Sequence, residues 1–220
     1  EEDHLARCLD SVAELVEEII VVDTGSTDRT VEIASNYTSK VYSYEWKDDF
    51  SDARNYSFSK ASMDYCMWMD ADDVLEEAEH DRFIKLKQSL PPETDIVMMK
   101  YHTSFDEAGK PSFSYYRERW IRNSGQYRWI GAVHEVIPPN GSVVYSDLAI
   151  CHRKIGAGDP DRNLNIYKKI IADGQILEPR QQYYYGRELY YHKQYKEAVS
   201  ELEQFLLSEE GWVENKIEAC

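Results

Sequence analysis

The stretch Tyr65-Cys66-Met67-Trp68-Met69-Asp70-Ala71-Asp72-Asp73 joins a short apolar run to three carboxylates. The apolar part reads as a buried strand. Carboxylates crowded at the end of a buried strand repel one another, and a cation relieves that repulsion. Strand alternation places Asp70 and Asp72 on one side, where both reach a divalent ion or its water shell. Mg²⁺ and Mn²⁺ favour oxygen ligands and commonly bridge to a substrate diphosphate. An Asp-rich turn that caps the next helix is the plainer alternative, because Asp-X-Asp alone is short and common.

The segments before this stretch give it a context. Residues 4–15 carry Leu5, Cys8, Leu9 and Val12 at helical spacing. Residues 18–23 read as a buried strand, and 24–28 as a turn into a helix over about 28–37. A short strand at 40–44 and a helix opening at Phe50-Ser51-Asp52 follow. Strand and helix alternate, as in a parallel sheet with helices on both faces. Ligands of such sheets bind outside the carboxyl ends of the strands, and Asp23, Asp70 and Asp72 all lie at such ends.

Beyond a helix near 78–89 the pattern changes. Residues 95–101, 112–122, 133–137 and 142–150 read as strands joined by turns such as Glu107-Ala108-Gly109-Lys110 and Pro139-Asn140-Gly141. They predict a mixed extension of the sheet. From Asp161 onward the chain reads as helix, with a pair at 180–192 and 195–207 broken at Lys193-Gln194. The second member has the Ala and Phe spacing of a tetratricopeptide repeat, and Tyr184, Gly186 and Leu189 fit the first. A further helix begins after Gly211-Trp212.

Composition narrows the function classes. The net charge is −16, from 41 acidic and 25 basic residues, which argues against nonspecific nucleic-acid binding. Seventeen Tyr and five Trp offer rings that stack on sugars and bases, though core packing accounts for most aromatics. The four cysteines show neither metal-site spacing nor a disulfide framework, so a reducing cytosol is expected. No run of 18 apolar residues reads as a membrane span.

Taken in order, Val21-Val22-Asp23-Thr24-Gly25-Ser26-Thr27-Asp28-Arg29-Thr30, Phe50-Ser51-Asp52-Ala53-Arg54-Asn55, Trp68-Met69-Asp70-Ala71-Asp72-Asp73 and Val133-His134-Glu135 resemble a family 2 glycosyltransferase of the GT-A fold. The likeness covers residues 1 to about 155 and extends to bacterial members with helical repeats behind the catalytic domain. Among these are lipopolysaccharide-core glucosyltransferases and peptide S-glycosyltransferases. It implies an α/β GT-A domain over 1–158, a Rossmann-like mixed sheet with flanking helices. A tetratricopeptide-like helical module over 159–220 would follow, cut short by the chain end. It also implies a first strand ahead of Glu1.

The resemblance assigns the site residue by residue. Asp23 accepts a hydrogen bond from the donor's base, against the plainer role of capping its own turn. Arg54 lies near the nucleotide, where a guanidinium pairs with phosphate or holds a carboxylate. Asp70 contacts ribose or braces the metal shell, and Asp72 is the direct ligand of Mn²⁺ or Mg²⁺. Asp73 caps a helix or orients the other two. His152, after the strand that ends at Ile150, completes the metal site, or simply ends a strand. Glu135 is the base for inverting transfer, or else a partner of Arg122 or Arg128, and His134 stands on the acceptor side. The implied reaction moves a hexose from a nucleotide-diphosphate sugar, UDP-sugar by preference, to a glycan, lipid-linked or peptide acceptor. No nucleic acid is involved. The expected setting is cytoplasmic, at or near the inner membrane face, with the helical module presenting the acceptor or forming a homo-oligomer. A nucleotidyltransferase would share the sheet, carboxylates and Mg²⁺, but usually carries a basic Gly-rich phosphate loop. A non-catalytic repeat scaffold is the other alternative, and the intact Asp70-Ala71-Asp72 speaks against it.

Overall fold

The computed structural model describes residues 1–156 and 158–220. They form two compact units: residues 1–47, 52–130 and 136–156 in the first, and 48–51, 131–135 and the residues beyond 157 in the second.

The first unit carries the sheets. Helix α1 (Leu5–Asp10), β1 (Val21–Asp23), α2 (Thr30–Ser35) and β2 (Val41–Ser43) come first. β1 and β2 pair in parallel, with Asp23 opposite Ser43. Leu5, Leu9 and Ala34 bury the helices against this pair, together with Val21, Val41 and Ala71. Helix α3 (Phe50–Phe58), most of which lies in this unit, leads to β3 (Tyr65–Met67) and the two-residue β4 (Asp73–Val74). A 3₁₀ turn (Glu77–Glu79) and α4 (His80–Ser89) lead to β5 (Ile96–Phe105), β6 (Pro111–Arg122) and β7 (Val143–His152). The order in this second sheet is β3-β6-β5-β7-β4.

Central β5 explains why this sheet forms. Its run Ile96-Val97-Met98-Met99 is buried throughout, as expected for a strand covered on both faces. Val97, Met99 and Tyr101 pack with Val12, Leu75, Phe83, Trp120, Leu148 and Ile150 on one side. Ile96 and Met98 pack with Trp68, Ile121, Trp129 and Ile137 on the other. β5 runs parallel to β7 and antiparallel to β6. Arg122 closes the strand ends: its Nε donates to Asp95 Oδ1 (3.2 Å), and Nη2 to Tyr65 Oη (2.9 Å) and the Thr94 carbonyl (2.6 Å).

Three expectations need correction. β3 does not continue the β1–β2 pair as a parallel strand; it joins β6 antiparallel, Tyr65 opposite Arg122. It also stops at Met67, so Asp70 and Asp72 are not neighbours on one strand face. The reason is Trp68, which turns its indole N–H to the Glu118 carbonyl while its ring enters the core. Residues 133–137 form no strand. Only an antiparallel bridge between Ile130 and Val136 survives there, because Gly131 (φ 95°) and His134 (φ 54°) take left-handed conformations that break extended pairing. The N-terminal helices are also shorter than their periodicity suggests: residues 11–15 are turns, and α2 spans six residues.

The second unit is helical beyond residue 157, with α5 (Arg162–Ala172), α6 (Pro179–Tyr191), α7 (Tyr195–Leu207) and α8 (Val213–Ala219). Pro179 opens α6 at its first turn, where its missing N–H costs nothing, and a Glu178/Gln181 capping box completes the start. α6 and α7 approach closely at Gly186, where an added Cβ would stand 2.8 Å from the Leu202 side chain. No described helix is long and apolar enough to cross a membrane.

Candidate active site

Antiparallel pairing of β4 with β7 sets Asp73 directly opposite His152. The ligand atoms of Asp72, Asp73 and His152 lie within 4.8 Å of one another. His152 Nδ1 stands 3.3 Å from both Asp72 Oδ1 and Asp73 Oδ1. Hydrogen bonds to Asp72 and Asp73 push the His152 imidazole up to about 10. An entering cation would therefore displace an imidazolium proton, and the two carboxylates would gain the charge they now draw from it.

Asp73 is fully buried. Its Oδ2 accepts from Arg119 Nη1 at 2.8 Å and its Oδ1 from Tyr101 Oη at 2.7 Å. Burial pushes its carboxyl up, but the Arg119 charge and the hydrogen bonds from His152 and Tyr101 outweigh burial and hold it below the ordinary range. Arg119 is itself fully buried, its guanidinium 3.6 Å from the centre of the Trp68 ring and 4.3 Å from that of Tyr101. A second hydrogen bond runs from Nη1 to the Trp68 carbonyl (3.0 Å).

Asp70 is held differently. Its Oδ1 accepts from Arg54 Nη2 at 2.6 Å, and its backbone carbonyl faces the Cys8 thiol of α1 at 3.3 Å. The Arg54 guanidinium lies 4.7 Å from the Trp68 ring centre and 4.9 Å from that of Trp129. Arg54 thus braces a carboxylate, one of its two expected uses. Asp23, at the end of β1, accepts from the backbone N–H groups of Gly25 (3.1 Å) and Ser26 (3.2 Å). That is the turn-capping role weighed against base recognition.

The sequence profile described as glycosyl transferase family 2 matches residues 1–143. The chain belongs to glycosyltransferase family 2. It is 28% identical over 220 residues to the SPbeta prophage-derived glycosyltransferase SunS of Bacillus subtilis, covering 93% of this chain and 50% of SunS. It is 26% identical over 203 residues to the lipopolysaccharide core biosynthesis glycosyltransferase LpsC of Rhizobium meliloti, covering 84% of this chain and 72% of LpsC. A TPR repeat-containing protein of Synechococcus elongatus is 35% identical over 139 residues, 62% of this chain and 33% of that protein. The chain therefore spans a third to a half of two of these relatives. Among solved structures S. aureus TarS superposes with a TM-score of 0.51 at 14% identity, over 94% of this chain and 47% of TarS. That likeness is one of fold, and the fold is GT-A.

In this family 2 glycosyltransferase the donor set suits a divalent cation. Two carboxylates and an imidazole converge, a mixture accepted by Mn²⁺ and, with less preference for nitrogen, by Mg²⁺. Asp72 and His152 would hold the ion, since Asp73 already serves Arg119 and Tyr101. Asp73 caps no helix, because β4 begins at that residue. Sequence reasoning missed Arg119 and Tyr101. The signal was present in Arg117-Glu118-Arg119, charges inside a strand whose continuation is apolar.

The residues expected on the acceptor side, His134 and Glu135, belong to the second unit of the glycosyltransferase. His134 stacks on the Tyr184 ring at 4.1 Å, its Nε2 lies 3.4 Å from Glu188 Oε1, and its carbonyl accepts from Arg180 Nη2. Helix α6 thus fixes His134. Glu135 is buried, and the ion pair of Arg122 is with Asp95.

Proposed function

We propose that the chain is the catalytic region of a metal-dependent, inverting hexosyltransferase that uses a UDP-sugar. The observation that carries this reading is the convergence of Asp72, Asp73 and His152 beside the Arg54–Asp70 pair, in a chain of this family. A divalent ion held by Asp72 and His152 would neutralise the charge that develops on the departing diphosphate. Asp73 keeps these ligands in place through its own fixed partners, Arg119 and Tyr101. Asp70, braced by Arg54, would contact the ribose, and Asp23 would accept from the base beside the turn it caps.

Glu135 takes the proton from the acceptor as the new bond to the anomeric carbon forms and the bond to the diphosphate oxygen breaks on the opposite face. The helical module, where α6 and α7 approach closely at Gly186, presents the acceptor. A cytoplasmic setting follows from the use of a nucleotide sugar. Calorimetry of UDP with Mn²⁺ on the whole chain tests the donor site. Wild type should bind UDP more tightly with the ion than without it, and Asp72→Asn should lose that gain. Equal affinity in both proteins would remove the metal assignment.

A further inference from the structure

Arg180, Tyr184 and Glu188 stand four residues apart on α6 and so share one face of that helix. All three meet the same residue, His134. Arg180 Nη2 donates to its carbonyl at 3.2 Å, Tyr184 stacks on its ring with 4.1 Å between centres, and Glu188 Oε1 lies 3.4 Å from its Nε2. Its backbone, ring face and ring edge are each held. His134 needs such support, because φ 54° is a left-handed conformation that costs a non-glycine residue about 1 kcal/mol or more. The next residue is Glu135. Gly131 folds the same turn tightly: a Cβ there would stand 3.4 Å from the Val133 carbonyl oxygen and 3.7 Å from Glu135 Cα. The Ala132 carbonyl accepts from the Phe50 N–H at 2.9 Å.

Glu188 is the costly member of this row. It is a carboxylate only 7% exposed, set in the body of a helix. Besides facing His134, it accepts from Asn163 Nδ2 at 3.1 Å. Burial pushes its carboxyl up, but the hydrogen bonds from His134 and Asn163 outweigh burial and hold it below the ordinary range. A buried charge adds little to stability that a well-packed apolar residue would not. Its use is therefore one of orientation: an anionic acceptor fixes Nε2 as a protonated end of the imidazole, and with it the set of the ring.

We propose that Glu188 is a positioning residue for the transfer step: through His134 it sets the direction of the Glu135 carboxylate. The proposal rests on the reading of Glu135 as the base given above. It makes α6 part of the reaction machinery as well as a support for the acceptor.

The test uses the whole chain with Mn²⁺, with UDP-glucose, UDP-galactose and UDP-N-acetylglucosamine as donors and water as the acceptor. Water gives its proton to the base as its oxygen bonds to the anomeric carbon and UDP departs, so hydrolysis reports on Glu135. Glu188→Gln should lower turnover at saturating donor about tenfold or more and leave UDP affinity, read by calorimetry, as in wild type. In a Glu135→Gln background the same substitution should cost no further turnover, because it acts through a group already removed. Losses that multiply, or full turnover in Glu188→Gln, would overturn the positioning role. A second readout needs no sugar. The His134 ring signals in spectra of ¹⁵N-histidine protein, assigned by their loss in His134→Asn, should shift in Glu188→Gln and in Glu188→Leu. Unmoved signals would overturn the proposal whatever the activity. Should Glu188→Gln fail to fold, Glu188→Leu, which restores apolar packing, carries both readouts. Wild-type turnover in Glu135→Gln would remove the base and the positioning role with it. A wild type that hydrolyses none of the three donors would remove the donor reading, and the histidine spectra would then decide on Glu188.

Discussion

β4 and the loop at 131–135 each carry a buried carboxylate, one that positions the proposed metal ligands and one proposed as the base, and they are built in opposite ways. Asp73 sits in a strand, opposite His152, with its two oxygens taken by Arg119 and Tyr101. Glu135 sits in a stretch with no strand pairing of its own, beside His134 at φ 54° and after Gly131 at φ 95°. An ion or diphosphate has the same shape in every turnover, so its ligands gain from a fixed frame. A base must meet whatever acceptor arrives, and loops carry that variation at little cost to the scaffold.

The comparison breaks most sharply at Glu135. Glu135→Gln should lower turnover by about 10²–10⁴-fold and leave UDP affinity unchanged, as measured by transfer kinetics at saturating donor alongside calorimetry. Loss of donor affinity instead would put Glu135 in the fixed frame. Asp73→Asn leaves Arg119 buried without its counter-charge and should cost about 3–5 kcal/mol. Chemical denaturation is the measurement, and pairing Asp73→Leu with Arg119→Met should recover most of the loss. A small effect in the single variant would mean that the frame is not held by this ion pair. Asp72→Asn should weaken metal-dependent UDP binding by at least about tenfold and leave the denaturation midpoint in place. The smallest effect is expected at His134. His134→Asn keeps a residue tolerant of left-handed φ and removes the stack on Tyr184, at about 0.5–1.5 kcal/mol. Thermal unfolding would show a larger loss if the ring did more than pack.

Much of the frame is legible in the amino-acid sequence. Residues 95–101 read as a strand, and Tyr184, Gly186 and Leu189 mark the first helix of the C-terminal pair. The site is legible only as a set of residue types. Asp72 and His152 can be singled out from the sequence, but their meeting depends on β4, a two-residue strand too short for periodicity to reveal. Arg119 escapes notice for a related reason. The pairing of β5 with β6 shifts register between Val97 and Met98, so alternation counted along β6 gives the wrong side for a buried charge. The stretch 133–137 misleads because apolar composition suggests a strand, whereas a left-handed His134 decides the backbone.

Trp68 gathers the guanidinium groups of Arg119, Arg54 and Arg117 at 3.6, 4.7 and 4.9 Å from its ring centre, with Trp129 edge-on at 5.2 Å. An indole so surrounded by cations is an optical gauge already installed beside the candidate site. Any ligand that draws Arg54 away from Asp70 changes the charge next to this chromophore and shifts its emission. Occupancy can therefore be followed by intrinsic fluorescence in the unlabelled protein, with Trp68→Phe as the blank.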